Sequence, residues 1–159
     1  MMKHFHFCFI TCFILNLSVS ARKSQTLNYD ISCAGNAIGY YIVEVSAYSA
    51  KKRDINENFV KKCALHGVLF KGFTGESGCV AQKPIISGVT NENHSELIDS
   101  LLHNEYNKYT ECIGGPLEVI KQNKRYKITT TIQVAKDQLR KYLENKGIIR
   151  KLGFCSIKL

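Results

Sequence analysis

The sequence predicts an α+β domain: a two-layer sandwich whose mainly antiparallel sheet carries its helices on one face. Three observations lead there. Tyr126, Ile128, Thr130, Ile132 and Val134 alternate with Lys127, Thr129, Thr131 and Gln133, the period-two pattern of a strand with one buried and one wet face. The period then changes to about 3.6 through Leu139, Tyr142 and Leu143, so the strand runs into a helix. Finally, the elements arrive as strand, helix, loop, helix, hairpin, helix, which is not the regular strand-helix alternation of a doubly wound parallel sheet.

Taken in order, the chain opens with Lys3, His4 and His6 around the start of an apolar run, Phe5 to Leu17, followed by the small residues Ser18, Ser20 and Ala21. This is the layout of a secretory signal peptide over residues 1–20, with cleavage after Ser20 or Ala21. The run is shorter than the roughly 20 apolar residues that span a bilayer, and no later stretch is long and apolar enough to do so. Neither Cys8 nor Cys12 sits in a lipoprotein-type context. Residues 21–159 are therefore expected to form one exported domain, periplasmic or secreted.

Tyr29 to Cys33 reads as a short edge strand, and Gly35 and Gly39 as the brackets of a turn. In the next strand, Tyr40 to Tyr48, apolar residues fall on both faces, which suits a central position. Asp54 with Glu57 has capping-box form before a helix in which Ile55, Phe59, Cys63, His66 and Phe70 recur every three or four residues, with Val60, Ala64 and Val68 beside them. Gly72 stops that helix. Gly72 to Gly88, punctuated by glycines and Pro84, reads as a long ordered loop. Asn93 offers a cap for a second helix, His94 to about Tyr109, with Leu97, Ile98, Leu101, Leu102 and Tyr106 on its apolar face. Gly114-Gly115-Pro116 resets the chain, and Leu117 to Gln122 pairs with the main strand about a turn at Asn123-Lys124. The closing helix carries Asp137/Lys141 and Arg140/Glu144 as opposite charges four apart, and Gly147 where a C′ glycine belongs. The apolar tail IIRKLGFCSIKL is expected to dock as a last short strand.

The formal charge is +9; 22 basic residues less Lys3 leave 21 against 13 acidic ones, a net +8 for the exported part. For an exported chain this favours lipid head groups, envelope glycans or an acidic protein over nucleic acid, although the same charge also serves solubility. Lys121, Lys124, Arg125 and Lys127 crowd the hairpin turn with Tyr126 between them, a candidate anion-binding tip. Lysines there also guard a sheet edge against pairing with another chain.

With Cys8 and Cys12 in the signal segment, Cys33, Cys63, Cys79, Cys112 and Cys155 remain. An odd number in an exported chain allows disulfides but leaves at least one thiol free or paired between chains, and the spacing leaves the pairing open. No Cys-x-x-Cys occurs, against a thioredoxin-like site or a zinc knuckle. Cys63 and His66 share a helix face, as a nucleophile and base or half a metal site would. That face is the apolar one, however, so a buried cysteine and a hydrogen-bonded core histidine explain both. His94 and His103 are too far apart on their helix for joint ligation and read as surface residues. The glycines of G-F-T-G-E-S-G follow a helix, whereas phosphate loops follow a strand, and Ser77 lacks the G-x-S-x-G context. No catalytic residue, metal or cofactor is expected.

Tyr41 to Ala50, Phe59 to Phe70 and Tyr126 to Ile148, with the pattern Y-x-I-x-T-x-I-x-V followed by L-x-x-x-L-x-x-x-G-I, resemble small exported domains of bacterial envelopes. The similarity is to the N-terminal domain of flagellar assembly protein T and related envelope lipoproteins, and to uncharacterised exported proteins of gut bacteria. This chain departs from them in having no lipobox cysteine and in the loop bearing Cys79. The resemblance implies an envelope assembly or interaction module without catalytic residues. With the charge, the expected function is a non-enzymatic exported module that binds an envelope protein or an anionic envelope component, or self-associates, through a sheet edge or the Gly72 to Gly88 loop. The competing expectation is a small extracytoplasmic hydrolase or thiol-dependent enzyme using Cys63 or Cys79 with a histidine.

Overall fold

A computed structural model describes residues 27–75, 78–87 and 92–152. The strands are β1 (Asn28–Ala37), β2 (Tyr40–Ser49), β3 (Thr110–Cys112), β4 (Val119–Gln122) and β5 (Arg125–Ala135); the α-helices are α1 (Glu57–His66), α2 (Glu92–Ser100) and α3 (Lys136–Asn145). The sheet is five-stranded and antiparallel, in the order β1-β2-β5-β3. β4 pairs with the first part of β5 and β3 with the last, so both share one edge of the longest strand.

Alternation decides which face is buried. Val43, Val45 and Ala47 of β2 stand opposite Ile132, Thr130 and Ile128 of β5, and all six are buried. Glu44, Ser46, Thr129 and Thr131 point the other way, where the hydroxyls of Ser46 and Thr129 bond at 2.8 Å. The buried face forms one hydrophobic cluster with Phe59, Val60 and Cys63 of α1, Ile98 of α2, and Leu139 and Leu143 of α3. The domain is therefore α+β, with β2 as the predicted central strand. Among the described residues no helix is long and apolar enough to cross a membrane.

Several local expectations are corrected. β1 runs ten residues, not five; Gly35 lies within it at a register shift, and the turn is at Ile38 and Gly39, whose φ of 79° suits glycine. Asp54 does not cap α1: it lies in a 3-10 turn, Lys52–Asp54, and the cap is Asn56, whose side chain accepts from the Phe59 amide at 3.0 Å. The buried Ile55 between them anchors that turn to the core. α2 starts at Glu92, one residue before the Asn93 expected to precede it. The second helix does not run unbroken to Tyr109 but widens into a π-helical turn, Leu101–Glu105, and then tightens into a 3-10 turn, Tyr106–Lys108. Widening by one residue per turn lets Leu101 and Tyr106, five apart, both face the core.

α1 also widens into a π-helical turn, Gly67–Lys71, where the chain crosses β1 so closely that a Cβ on Gly67 would lie 2.6 Å from Ile31 Cδ1. Gly72 stops the helix as expected. At the end of α3, Gly147 has φ of 71°, and its N–H donates to Glu144 O at 3.1 Å while Ile148 N–H donates to Leu143 O at 2.9 Å. This is the full Schellman arrangement. Arg140 and Glu144 pair at 2.9 Å, but Asp137 turns to the β1–β2 turn, its N–H donating to Gly39 O, and makes no ion pair with Lys141. Ile148 and Ile149 pack on the core, and the chain forms no strand through Leu152. The rest of the tail, with Cys155, and the segment read as a signal peptide lie outside the described residues.

Candidate functional site

The candidate site is the end of the sheet where β4 turns into β5. Asn123 and Lys124 have φ of 48° and 65°, the twin positive values of a type I′ turn, which matches the twist of the strands it joins. The turn places Lys124 at the tip, with Lys121 opposite Tyr126 and Gln122 opposite Arg125. Lys121, Lys124 and Arg125 are exposed; Lys127 is half-buried, its ammonium 5.8 Å from the centre of the Tyr48 ring. Tyr48 in turn donates to Asp30 Oδ2 at 3.0 Å.

β2 brings a second basic segment to the same place. Its register sets Ser49 opposite Tyr126, so the turn Lys51, Lys52, Arg53 that follows β2 emerges beside the hairpin tip. No local pattern joins these residues to the hairpin; only the pairing of β2 with β5, strands far apart in the sequence, brings the two groups to one end of the sheet. Within these segments the acidic residues are Asp54, paired with Arg53 at 3.5 Å, and Glu118. The four hairpin cations form no ion pair with any described residue. Like-charged and without ion-pair partners among the described residues, three of them exposed and Lys127 half-buried, they set up a field that attracts anions and weakens with salt.

The thiols and histidines are arranged otherwise. Cys63 is fully buried, and burial pushes its thiol up to about 12 although the Lys71 ammonium acts the other way. A cysteine so placed is a poor source of thiolate. His66 is half-buried, and its Nδ1 shares a hydrogen bond of 2.7 Å with the Tyr29 hydroxyl, the donor set by the imidazole tautomer. Burial, and then Lys71, lower the His66 pKa below the ordinary 6.5, and burial followed by Cys63 raises that of Tyr29, so both stay neutral. Cys79 is bonded to Cys33, and Cys112, half-buried, contacts Thr130 Oγ1 at 3.4 Å. The sequence left the Cys33–Cys79 pairing open. His103 is exposed and donates through Nδ1 to Asp99 O at 2.9 Å, whereas His94, read as a surface residue, is half-buried, with a buried Nδ1 that has no partner among the described residues. Among the described residues no three His, Cys, Asp or Glu side chains are grouped to hold a metal ion. In the glycine loop, the backbones of Phe73 and Gln82 bond each other at 2.9 and 3.0 Å, and Thr74 O accepts from the Cys33 amide.

The His66 pair carries a pH prediction. The fold favours neutral imidazole, so below the ordinary pKa the unfolded chain binds more protons. The contribution is complete above pH 6.5 and is lost as pH falls from there through the folded value. Urea midpoints of wild type should therefore fall between pH 7 and 5 more than those of His66→Gln, which keeps a hydrogen-bond partner for Tyr29; parallel curves would show that His66 is not the group responsible.

Comparison with known proteins finds no matching family model, no similar curated protein and no similar solved structure.

Proposed function

We propose that the chain is a non-enzymatic exported module that associates with an anionic component of the cell envelope through the basic end of its sheet. The observation that carries this reading is that the β2–β5 register puts Lys51, Lys52 and Arg53 at the same end of the sheet as Lys121, Lys124, Arg125 and Lys127. Two further features support it. The Cys33–Cys79 disulfide suits an oxidising compartment, the one a signal-like N-terminus would reach. The thiol-enzyme alternative would need Cys63 or Cys79, and the first is buried and the second is tied up in a disulfide.

The test is co-sedimentation with vesicles containing anionic phospholipid, against zwitterionic vesicles, between about 0.05 and 0.5 M salt. Wild type should bind the anionic vesicles and be released as salt rises. Reversing Lys124 and Arg125 together to Glu should reduce binding severalfold at low salt, with the melting temperature unchanged, since both side chains are exposed. Association indifferent to salt and to the reversal would sink the proposal. Turnover of a hydrolase or thiol-oxidoreductase substrate, lost on Cys63→Ala in a still-folded protein, would replace it with the enzyme reading.

A further inference from the structure

At the opposite end of the sheet, the β1–β2 turn, the glycine loop and the start of α3 enclose a half-open cleft of about 410 Å³. Its floor is aromatic: Tyr41 and Phe73 meet edge to face with centroids 5.7 Å apart. Ile42 adds to the wall, and Ile38 and Val80, both highly exposed, form its lips. Single exposed aliphatic residues are ordinary on a surface, but two flanking one apolar cleft are not scattered. The wall is held in place, because the Cys33–Cys79 disulfide and the bond from Asn36 Nδ2 to Gly78 O both tie the loop to β1.

Among the described residues one charged group lines the cleft. Lys136 places its ammonium 5.4 Å from the Tyr41 ring centre and makes no ion pair with any described residue. Among the described residues no carboxylate lines the cleft; Asp137, next to Lys136 in sequence, lies against Gly39 outside it. Tyr41 stays neutral, its pKa raised first by burial, with Arg140 lowering it and Asp137 raising it. The cavity is within the roughly 300–1,000 Å³ range of small-molecule sites, and like them it combines apolar walls with few polar groups.

From this juxtaposition we infer that the cleft binds a small amphiphilic anion, with its alkyl chain on Tyr41, Phe73, Ile38 and Val80 and its carboxylate or phosphate head on Lys136. The site is separate from the basic end, and neither proposal needs the other. Amide chemical-shift titrations of the isotope-labelled protein with decanoate, decyl phosphate and decanol, each below its micelle concentration, test it. Both anions should give saturable shifts centred on Tyr41, Phe73 and Val80, and comparison of the two shows which head group is preferred. Lys136→Gln should weaken the anions about tenfold, the loss of one charge-assisted contact, and leave decanol nearly unchanged. Ile38→Ser with Val80→Ser, exposed positions that leave the core intact, should weaken all three ligands. Lys124→Glu with Arg125→Glu should leave them alone, which keeps this outcome distinct from that of the envelope proposal. The inference is overturned by shifts that do not saturate, by shifts centred on the β4–β5 hairpin, or by anion binding indifferent to Lys136→Gln.

Discussion

Ile132→Lys is expected to leave the protein largely unfolded, whereas Thr131→Lys, one residue away, should be nearly neutral. Ile132 is fully buried on β5 opposite Val43 and packs in the single core. A lysine there loses the buried aliphatic surface and places an ammonium in a core where, among the described residues, no carboxylate is buried. Losing a buried isoleucine costs about 2–5 kcal/mol, and an unpaired buried charge adds several more. The total rivals the whole stability of an ordinary domain, about 5–15 kcal/mol. Thr131 points to the open face opposite Glu44, where a lysine stem lies along the sheet with its charge in water and an acidic neighbour across the strand. Urea melts of the two variants measure the contrast; equal midpoints would mean that β5 does not have the assigned faces.

Replacing Cys33 and Cys79 together by Ala should lower stability by about 2–4 kcal/mol. The bond closes a loop of sequence separation 46, and restricting the unfolded chain over such a loop is worth about 4 kcal/mol before any offset. The expected signature has two parts. Reductant should lower the urea midpoint of wild type to that of the double variant, and should not move the double variant at all. A double variant as stable as oxidised wild type would show that the glycine loop is held by its backbone bonds alone. Cys63→Ala tests the other kind of cysteine: it removes a buried side chain, and the stability it costs should be the same with and without reductant.

The sequence by itself determined the elements whose signal is local. β5 was legible because alternation and burial coincide along it; the β4–β5 turn, because Asn123 and Lys124 sit between two β-prone runs; α3, because its stripe ends at a glycine that takes positive φ. The candidate cations of the hairpin were visible for the same reason. Errors fell where neighbouring residues offer equivalent local choices, as between Asp54 and Asn56 at the start of α1, or where a helix widens to keep Leu101 and Tyr106 on the core. What only the tertiary structure decided depends on contacts between residues distant in sequence. The β2–β5 register, set by matching two buried faces, carries Lys51 to Arg53 to the hairpin tip. The edge position of β1 brings Cys33 to Cys79, and the Cys33–Cys79 bond holds the loop that walls the apolar cleft. Period and capping act over a few residues and can be read along the chain, whereas register and pairing between distant segments follow from burying the core-facing sides of both strands at once.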